Sequence, residues 1–305
     1  MVFVYIALGI LALILLYLIG VLIIYLYCFT NLIKTKRVID EKDDYYPYLE
    51  AIKEGDELLE KVNKEEVEVE SDDHLILRGY FIENEIKDKV VIIFHGYKSK
   101  GSLSLTYDYY ALGYSVLLID QRAHGRSEGR FIGMGIIERF DALKWIEYVI
   151  KRCGENTSIL LSGTSMGAST IMMASEIITY PQVKGIIADC GFSSCYEQIK
   201  SCIHKIPKQP TMGIVNLYSR LFAKYNMKEI TSAESLSNSN IPLLIIHGKK
   251  DNFVPCSNLK ICYDASKSTI KDYLYVDNAI HATACADGKD EYDLKVRKFL
   301  KDISF

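Results

Sequence analysis

The sequence lacks the marks of several protein classes. Its 36 Lys and Arg nearly balance its 39 Asp and Glu, and it contains no basic block, so nucleic acid is not an expected partner. Neither a G-x-x-x-x-G-K-[ST] loop nor a G-x-G-x-x-G loop occurs, so no nucleotide cofactor is indicated. Internal repeats and Pro-rich or Gly/Ser-rich linkers are also absent. One membrane segment and one folded domain therefore account for the 305 residues.

Charge is absent from residues 1–33, which are mostly Leu, Ile, Val, Tyr and Phe. A hydrocarbon core of about 30 Å needs about 20 apolar residues to span it. A cleaved signal peptide would need a basic start, a shorter apolar core and a small-x-small cleavage site, and this segment has none of them. We predict that residues 1–33 are a retained single-pass anchor in the lipid bilayer of the cell membrane. Tyr25 and Tyr27 are expected in an interfacial aromatic belt.

Basic residues near this segment all follow it, at Lys34, Lys36 and Arg37. By the positive-inside rule they place the rest of the chain in the cytoplasm. Cysteine usage agrees, because the seven cysteines beyond Cys28 are an odd number without framework spacing. The domain is therefore expected in a reducing, cytoplasmic compartment.

The charged residues 34–64 predict a spacer with a first surface helix, and the domain proper occupies residues 65–305. Its opening residues predict an antiparallel hairpin around residues 71–73. Short, nearly continuous apolar runs then recur, as expected for strands buried on both faces of a parallel sheet. The runs are residues 90–94, 115–119, 158–161, 183–188, 242–246 and 272–276.

Helical periodicity lies between these runs, at residues 136–149, 168–176 and 290–300. Strands that alternate with helices predict an α/β fold with a mostly parallel, doubly wound sheet. Ligands bind beyond the carboxyl ends of the strands in such sheets. Functional residues are therefore sought just after each apolar run.

A G-x-S-x-G motif occupies residues 163–167, between a predicted strand and a predicted helix. Such a turn is strained and presents the hydroxyl of Ser165 above the sheet. Gly163 and Gly167 are expected because side chains there would collide with neighbouring backbone. This context predicts a nucleophilic serine.

Serine needs a base to remove its proton and an acid to orient that base. With this kind of turn, the triad follows the order Ser, acid, His. His281 follows the last strand and is the predicted base, whereas His247 ends a strand and His204 lies in an insertion. Residues 246–255 place a carboxylate just past the penultimate strand, so Asp251 is the predicted acid.

Asp189 and Asp120 compete with Asp251 for the role of the acid, because each ends an apolar run. Strand-end aspartates more often cap turns, so Asp251 remains preferred. A developing oxyanion needs two N–H donors. We predict the amide of Met166, after the nucleophile, and that of Tyr97, after the 90–94 strand. His95 is expected to brace that loop rather than act as the base.

These motifs together resemble the α/β-hydrolase superfamily, and most closely its serine-aminopeptidase-like branch, which includes bacterial membrane-anchored hydrolases. The resemblance covers about three quarters of the chain. It implies the α/β-hydrolase fold with a helical cap, and a bracing role for residues 120–129. One departure is Ile280, where the family often has glycine before the catalytic histidine. The matching motifs are residues 95–96, 120–129, 163–167, 247–248 with 251 and 254–255, and 281–282.

The cap is predicted at approximately residues 191–240, a connection far longer than the usual 2 to 6 or so residues. Its apolar residues suggest a small-molecule acyl ester as substrate, cleaved through an acyl-enzyme, with a peptide as the alternative. A non-catalytic binding module on the same fold is a further alternative. No metal is predicted, because Cys190, Cys195, Cys202 and His204 match no zinc spacing.

Overall fold

The computed structural model describes residues 1–32, 43–101, 103, 108–204 and 206–305. Its centre is an eight-stranded sheet in the order β1-β2-β4-β3-β5-β6-β7-β8. The strands are β1 Glu65–Glu70, β2 Ile76–Ile82, β3 Ile86–Phe94, β4 Tyr114–Ile119, β5 Ser158–Thr164, β6 Val183–Asp189, β7 Leu243–Gly248 and β8 Lys271–Val276.

Strand direction follows the predicted pattern. β2 pairs antiparallel with both β1 and β4, whereas β4, β3, β5, β6, β7 and β8 are parallel to one another. The central strands are continuously apolar because helices cover both of their faces. The predicted α/β-hydrolase fold, with its mostly parallel sheet, is confirmed.

Ten α-helices accompany the sheet in the described parts of the chain. They are α1 Val2–Phe29, α2 Leu49–Lys61, α3 Glu138–Cys153, α4 Met166–Ala174, α5 Cys195–Ser201, α6 Lys208–Tyr218, α7 Ser232–Ser237, α8 Ser257–Ala265, α9 Ala284–Asp287 and α10 Lys289–Asp302. A 3-10 turn, Tyr46–Tyr48, precedes α2, and a π-helical turn, Ser219–Ala223, continues α6.

The two faces of the sheet bury separate apolar clusters. On one face, α3 and α4 pack over the strands, with Trp145 fully buried. On the other face, α10 contributes Val296, Phe299 and Leu300. The three helices predicted from periodicity therefore exist, with ends shifted by a few residues. Helix α8 was not predicted, since only Leu259 and Cys262 are buried along it.

Helix α1 is the one helix in the described ranges that is long and apolar enough to cross a membrane. Its first turns are exposed, but its last turns pack on the domain through Val21, Tyr25 and Phe29. The ring of Tyr25 stacks on Phe29 at 5.1 Å and meets Tyr218 edge-on at 5.8 Å. The insertion therefore covers the ring of Tyr25, whereas Tyr27, the other residue of the predicted belt, is 46% exposed.

Residues 191–240 contain α5, α6, the π-helical turn and α7. Their buried apolar side chains share a cluster with the end of α1, including Phe192, Met212 and Val215. Of the predicted spacer, 34–64, the helical part is α2. The basic residues that set the predicted orientation, Lys34, Lys36 and Arg37, lie outside the described residues.

Two truncations separate the roles of the two ends of α1. Removing residues 1–29 uncovers the apolar partners of Val21, Tyr25 and Phe29, each of which contributes about 1.5–3 kcal/mol when buried. We expect a loss of about 5 kcal/mol in the free energy of unfolding and a melting temperature lower by more than about 10 °C. Removing only residues 2–15 keeps these contacts and should leave the melting temperature near that of the full chain. Thermal unfolding in one common detergent measures both, and equal melting temperatures would contradict the packing of α1.

Candidate active site

The turn from β5 to α4 places Ser165 at a strained position, with φ of 56° and ψ of −116°. Non-glycine residues avoid this region unless the surrounding structure imposes it. The glycines on either side allow close backbone approach. A Cβ at Gly167 would lie 2.1 Å from the carbonyl oxygen of Phe94, and one at Gly163 would lie 2.6 Å from the amide nitrogen of Ala168. The expected collision of flanking side chains with backbone is therefore present.

His281 lies in the loop after β8 and reaches the serine. Its Nε2 is 2.8 Å from Oγ of Ser165. The loop holds its shape without glycine at position 280, because Oγ1 of Thr283 accepts from the amide of Ile280 at 3.0 Å. The hydroxyl of Tyr45 also donates to the carbonyl oxygen of His281 at 2.5 Å. The departure from the family pattern at Ile280 thus leaves the histidine in contact with the serine.

Asp251, in the loop after β7, completes the chain of hydrogen bonds. Its Oδ2 is 2.7 Å from Nδ1 of His281, and its Oδ1 accepts from the amides of Phe253 and Val254 at 2.9 and 2.8 Å. Burial would raise the pKa of this carboxyl, but hydrogen bonds from His247 and His281 outweigh it and hold the pKa well below its usual range.

An ionised Asp251 fixes the tautomer of His281. The carboxylate only accepts, so Nδ1 of His281 carries the hydrogen and Nε2 is left to accept from the hydroxyl of Ser165. This orientation suits proton removal from the serine. The three predicted triad residues therefore lie in one connected hydrogen-bond chain.

The competing carboxylates have other partners. Asp120 accepts from the amides of Gly101 and Arg126 at 2.8 and 3.1 Å, and from Nε of Arg126 at 2.9 Å. Oδ2 of Asp189 accepts from the hydroxyl of Tyr292 at 3.2 Å. Burial raises the pKa of Asp189 to about 6. Asp120 therefore stabilises a turn, as strand-end aspartates commonly do, whereas Asp189 contacts α10.

Two backbone amides next to Ser165 are available to a substrate. Among the described residues, neither the amide of Met166 nor that of Tyr97 donates to an acceptor. Gly96 brings the second amide close, because a Cβ at this position would lie 3.5 Å from Cβ of Ser165. The side chain of Tyr97 turns away and donates to the carbonyl oxygen of Cys28 at 2.5 Å. This pair fits the predicted oxyanion donors.

Two buried histidines brace the loop that carries Tyr97. His95 accepts from the amide of Gln121 at 3.0 Å, and His124 accepts from the amide of Lys98 at 3.0 Å. Accepting at Nε2 requires the neutral form. Burial lowers the pKa of His95, and burial together with the neighbouring His95 lowers the pKa of His124 to about 3. The bracing expected of His95 and of residues 120–129 is what these contacts provide.

One group of potential metal ligands exists within the described residues, formed by Cys190, Asp251 and His281 with ligand atoms within 4.8 Å of one another. The Asp251 and His281 atoms are already engaged with each other, as described above. Burial raises the pKa of the Cys190 thiol well above its usual value, so the sulfur is protonated. This group is suited to hold His281 in place rather than to bind a cation.

A cavity of about 720 Å³ opens above Ser165. One wall is formed by residues just before and within α2, from Asp44 to Asp56. The sequence did not predict this segment as part of the site. The apolar residues of the insertion suggested an acyl substrate, but none of the described residues of the insertion 191–240 lines the cavity. Its buried apolar side chains pack with the end of α1 instead. The lining residues are Asp44, Tyr45, Ile52, Asp56, Ile93, His95, Gly96, Tyr97, Ser99, Lys100, Thr164, Ser165, Lys250, Asn252, Phe253, Ile280, His281 and Ala282.

The chain is similar to several known proteins. A sequence model described as serine aminopeptidase, S33, matches residues 85–239, just over half of the chain. YqkD of Bacillus subtilis is 25% identical over 233 residues, covering 75% of this chain and 76% of YqkD. The esterase Pf2001 of Pyrococcus furiosus is 25% identical with a TM-score of 0.63, over 79% and 93% of the two chains. An acylaminoacyl peptidase of Pyrococcus horikoshii, 19% identical, shares the fold with a TM-score of 0.57 over 80% and 43%.

Replacing Asp251 with Asn should expose its role. The amide would favour the wrong tautomer of His281, so we expect the rate at which a fluorophosphonate labels Ser165 to fall by about 10⁴-fold. Asp189→Asn is the matched control, because Asp189 contacts Tyr292 and not His281. Its labelling rate should stay close to that of the unchanged chain. Mass spectrometry over time measures the labelling rate of each variant. Equal losses of labelling rate in the two variants would contradict the assignment of Asp251 as the acid.

The neutral state of His124 predicts a pH dependence of stability. Its pKa is lowered from 6.5 to about 3 in the folded chain, so the unfolded chain takes up the proton first. The contribution of neutral His124 to the free energy of unfolding is complete above pH 6.5. It is lost as the pH falls toward 3, at about 1.4 kcal/mol per pH unit. His124→Gln should flatten the slope by about that amount, whereas His204→Gln, at an exposed position, should not. Urea unfolding between pH 7 and 4 measures the slope of the free energy of unfolding against pH for each variant. Slopes that match that of the unchanged chain in both variants would contradict the neutral state of His124.

Proposed function

The chain belongs to the serine aminopeptidase S33 family of α/β hydrolases, and on that basis we propose that it is a serine hydrolase in which Ser165, Asp251 and His281 form the catalytic triad. The observation that carries the proposal is the continuous hydrogen-bond chain from Oγ of Ser165 through His281 to Asp251, at 2.8 and 2.7 Å. A non-catalytic binding module would not require the strained turn at Ser165 or the hydrogen-bonded pair of His281 and Asp251.

Acylation follows from the geometry. Ser165 Oγ attacks the carbonyl carbon of the substrate while Nε2 of His281 takes the hydroxyl proton. The carbonyl oxygen becomes an oxyanion, which the amides of Tyr97 and Met166 stabilise. Asp251 stabilises the imidazolium that forms. His281 then protonates the leaving group as its bond to the carbonyl carbon breaks, which leaves an acyl group on Ser165.

Deacylation reverses these roles. A water molecule loses a proton to Nε2 of His281 and attacks the acyl carbon, and the same two amides hold the second oxyanion. Collapse releases the acid and returns the proton to Oγ of Ser165. No resident cofactor enters either step.

We propose an ester as the substrate. Pf2001, which is 25% identical and covers most of both chains, is named an esterase. The cavity above Ser165 accommodates an acyl chain between Ile52, Ile93 and Phe253. Peptidase action is the second candidate, favoured by the family description and by the carboxylate of Asp44 on the cavity wall, which would attract a free amine.

We also propose that α1 anchors the enzyme in the cell membrane. Its exposed, uncharged turns support this. The basic residues after the helix favour a cytoplasmic domain, and all eight cysteines are free, as in a reducing compartment. In this proposal residues 1–33 are the anchor, 34–64 a spacer whose described part lines the cavity, and 65–305 the catalytic domain with its insertion at 191–240.

The substrate assay compares chromogenic acyl esters of increasing chain length with aminoacyl anilides, using the full chain in detergent. We expect ester hydrolysis to exceed anilide hydrolysis, because a chromogenic phenolate can leave unprotonated, whereas the anilide nitrogen must be protonated as it leaves. Ser165→Ala should abolish both activities, and Ser162→Ala, three positions earlier on β5, should keep them. Faster cleavage of the anilides would replace the esterase proposal with the peptidase, and a folded chain that cleaves neither would contradict a hydrolase.

A further inference from the structure

An exposed apolar strip runs along α6 and the π-helical turn. We call it the α6 strip, and it consists of Pro210, Gly213, Leu217 and Leu221, spaced three or four residues apart. Leu217 is 48% exposed and Leu221 is 53% exposed. A Cβ at Gly213 would meet nothing within 4 Å. Nothing among the described residues covers this strip, although the opposite face of α6 is buried through Met212 and Val215.

The α6 strip lies beside α1. The hydroxyls of Tyr17 and Thr211 are 2.7 Å apart, and the hydroxyl of Tyr218 donates to the carbonyl oxygen of Leu18 at 2.9 Å. Farther along, the rings of Tyr25 and Phe222 are 6.3 Å apart. The last turns of α1 therefore contact α6 and the π-helical turn at three points.

The exposed apolar surface of α1 extends to this contact. Exposed side chains continue along α1 past Tyr17, with Ile19 43%, Ile23 62% and Ile24 49% exposed. A bilayer that covers these side chains reaches the level at which α6 packs on α1.

Charges at the two ends of α6 fit a helix at a membrane surface. Lys208 begins the helix, and Arg220 and Lys224 lie at its end, all exposed. Their long side chains can reach lipid headgroups while the apolar strip contacts acyl chains. Asn216, the amide side chain between them, turns inward and accepts from the amide of Met227 at 2.8 Å.

We propose that the α6 strip inserts into the acyl boundary of the leaflet from which α1 emerges, so that α1 and α6 form a two-helix membrane contact. The inference rests on the proposed anchoring by α1. A single helix would let the domain turn about its axis, whereas a second contact fixes the orientation of the cavity relative to the bilayer. Continuity with the lipid-facing surface of α1 favours a bilayer over a second copy of the chain.

Tryptophan quenching tests this insertion directly, because the chain has one tryptophan, Trp145, which is fully buried in the core. Leu221→Trp places a reporter on the strip. Ile261→Trp, on α8 and 49% exposed, is the matched control away from α1. Ile14→Trp, 51% exposed on α1, reports the anchor itself. The full chain is reconstituted in vesicles of phosphatidylcholine and phosphatidylglycerol, with bromine near the carboxyl end of the acyl chains.

We expect Leu221→Trp to lose more than about half of its added emission, as a side chain at the headgroup and acyl boundary should, while Ile261→Trp keeps its emission. Quenching of Ile14→Trp alone would overturn the insertion of α6 and leave the anchor in place. Absence of quenching in both Ile14→Trp and Leu221→Trp would overturn the anchor and the insertion together. Blue-shifted, unquenched emission from Leu221→Trp would assign the strip to a protein partner and also overturn the proposal.

Folding of each variant is checked by fluorophosphonate labelling of Ser165, which lies on the β5–α4 turn and not on α1, α6 or α8, where the reporters are placed. Should Leu221→Trp fail to label, Leu217→Trp replaces it on the same strip. The prediction for Leu217→Trp is the same loss of emission.

Discussion

The close approach of the β5–α4 turn to the end of β3 is the constraint on which the site depends. The amide of Met166 and the hydroxyl of Ser165 can face the substrate only if α4 begins against the carbonyl oxygen of Phe94, where a Cβ at Gly167 would lie 2.1 Å away. This packing forces Ser165 to its positive φ. It also sets the loop after β3, with Tyr97, beside Ser165. The loops that carry His281 and Asp251 then complete a site whose centre is already fixed.

The end of α1 is attached to the same loop. The hydroxyl of Tyr97 donates to the carbonyl oxygen of Cys28, and Nζ of Lys98 donates to that of Tyr27 at 2.7 Å. A short bridge between Thr30 and Phe131 extends the attachment. The proposed membrane anchor is therefore in direct contact with the loop that supplies a proposed oxyanion donor. The proposed attachment and the geometry of the site share these few residues.

The parts of the structure that the sequence predicted are those with a local physical cause. Strands buried on both faces must be continuously apolar, so β5 and β6 could be located within three residues. Gly163 and Gly167 could be predicted to be required from steric considerations alone. The first residues of β3, from Ile86, were missed because this charged end pairs irregularly with β4.

Docking between distant segments could not be predicted in the same way. The wall formed by Tyr45 and Ile52 depends on where residues 43–61 pack. The periodicity of a sequence does not identify a packing partner such as His281, more than 200 residues away. Tyrosine is a residue type that is common at membrane interfaces, yet the insertion buries Tyr25 against Tyr218. Apolar residues in the insertion indicated burial correctly but not what they would be buried against.

We propose that an acyl group passes through Oγ of Ser165, and rapid quenching of the full chain during turnover of a chromogenic ester is the direct test of this claim. Acid quenching within the first turnover, followed by mass spectrometry of the intact chain and its peptides, should show one acyl group per chain on the peptide that contains Ser165. Ester turnover that leaves no acyl group at any time, or an acyl group on another residue, would contradict the claim.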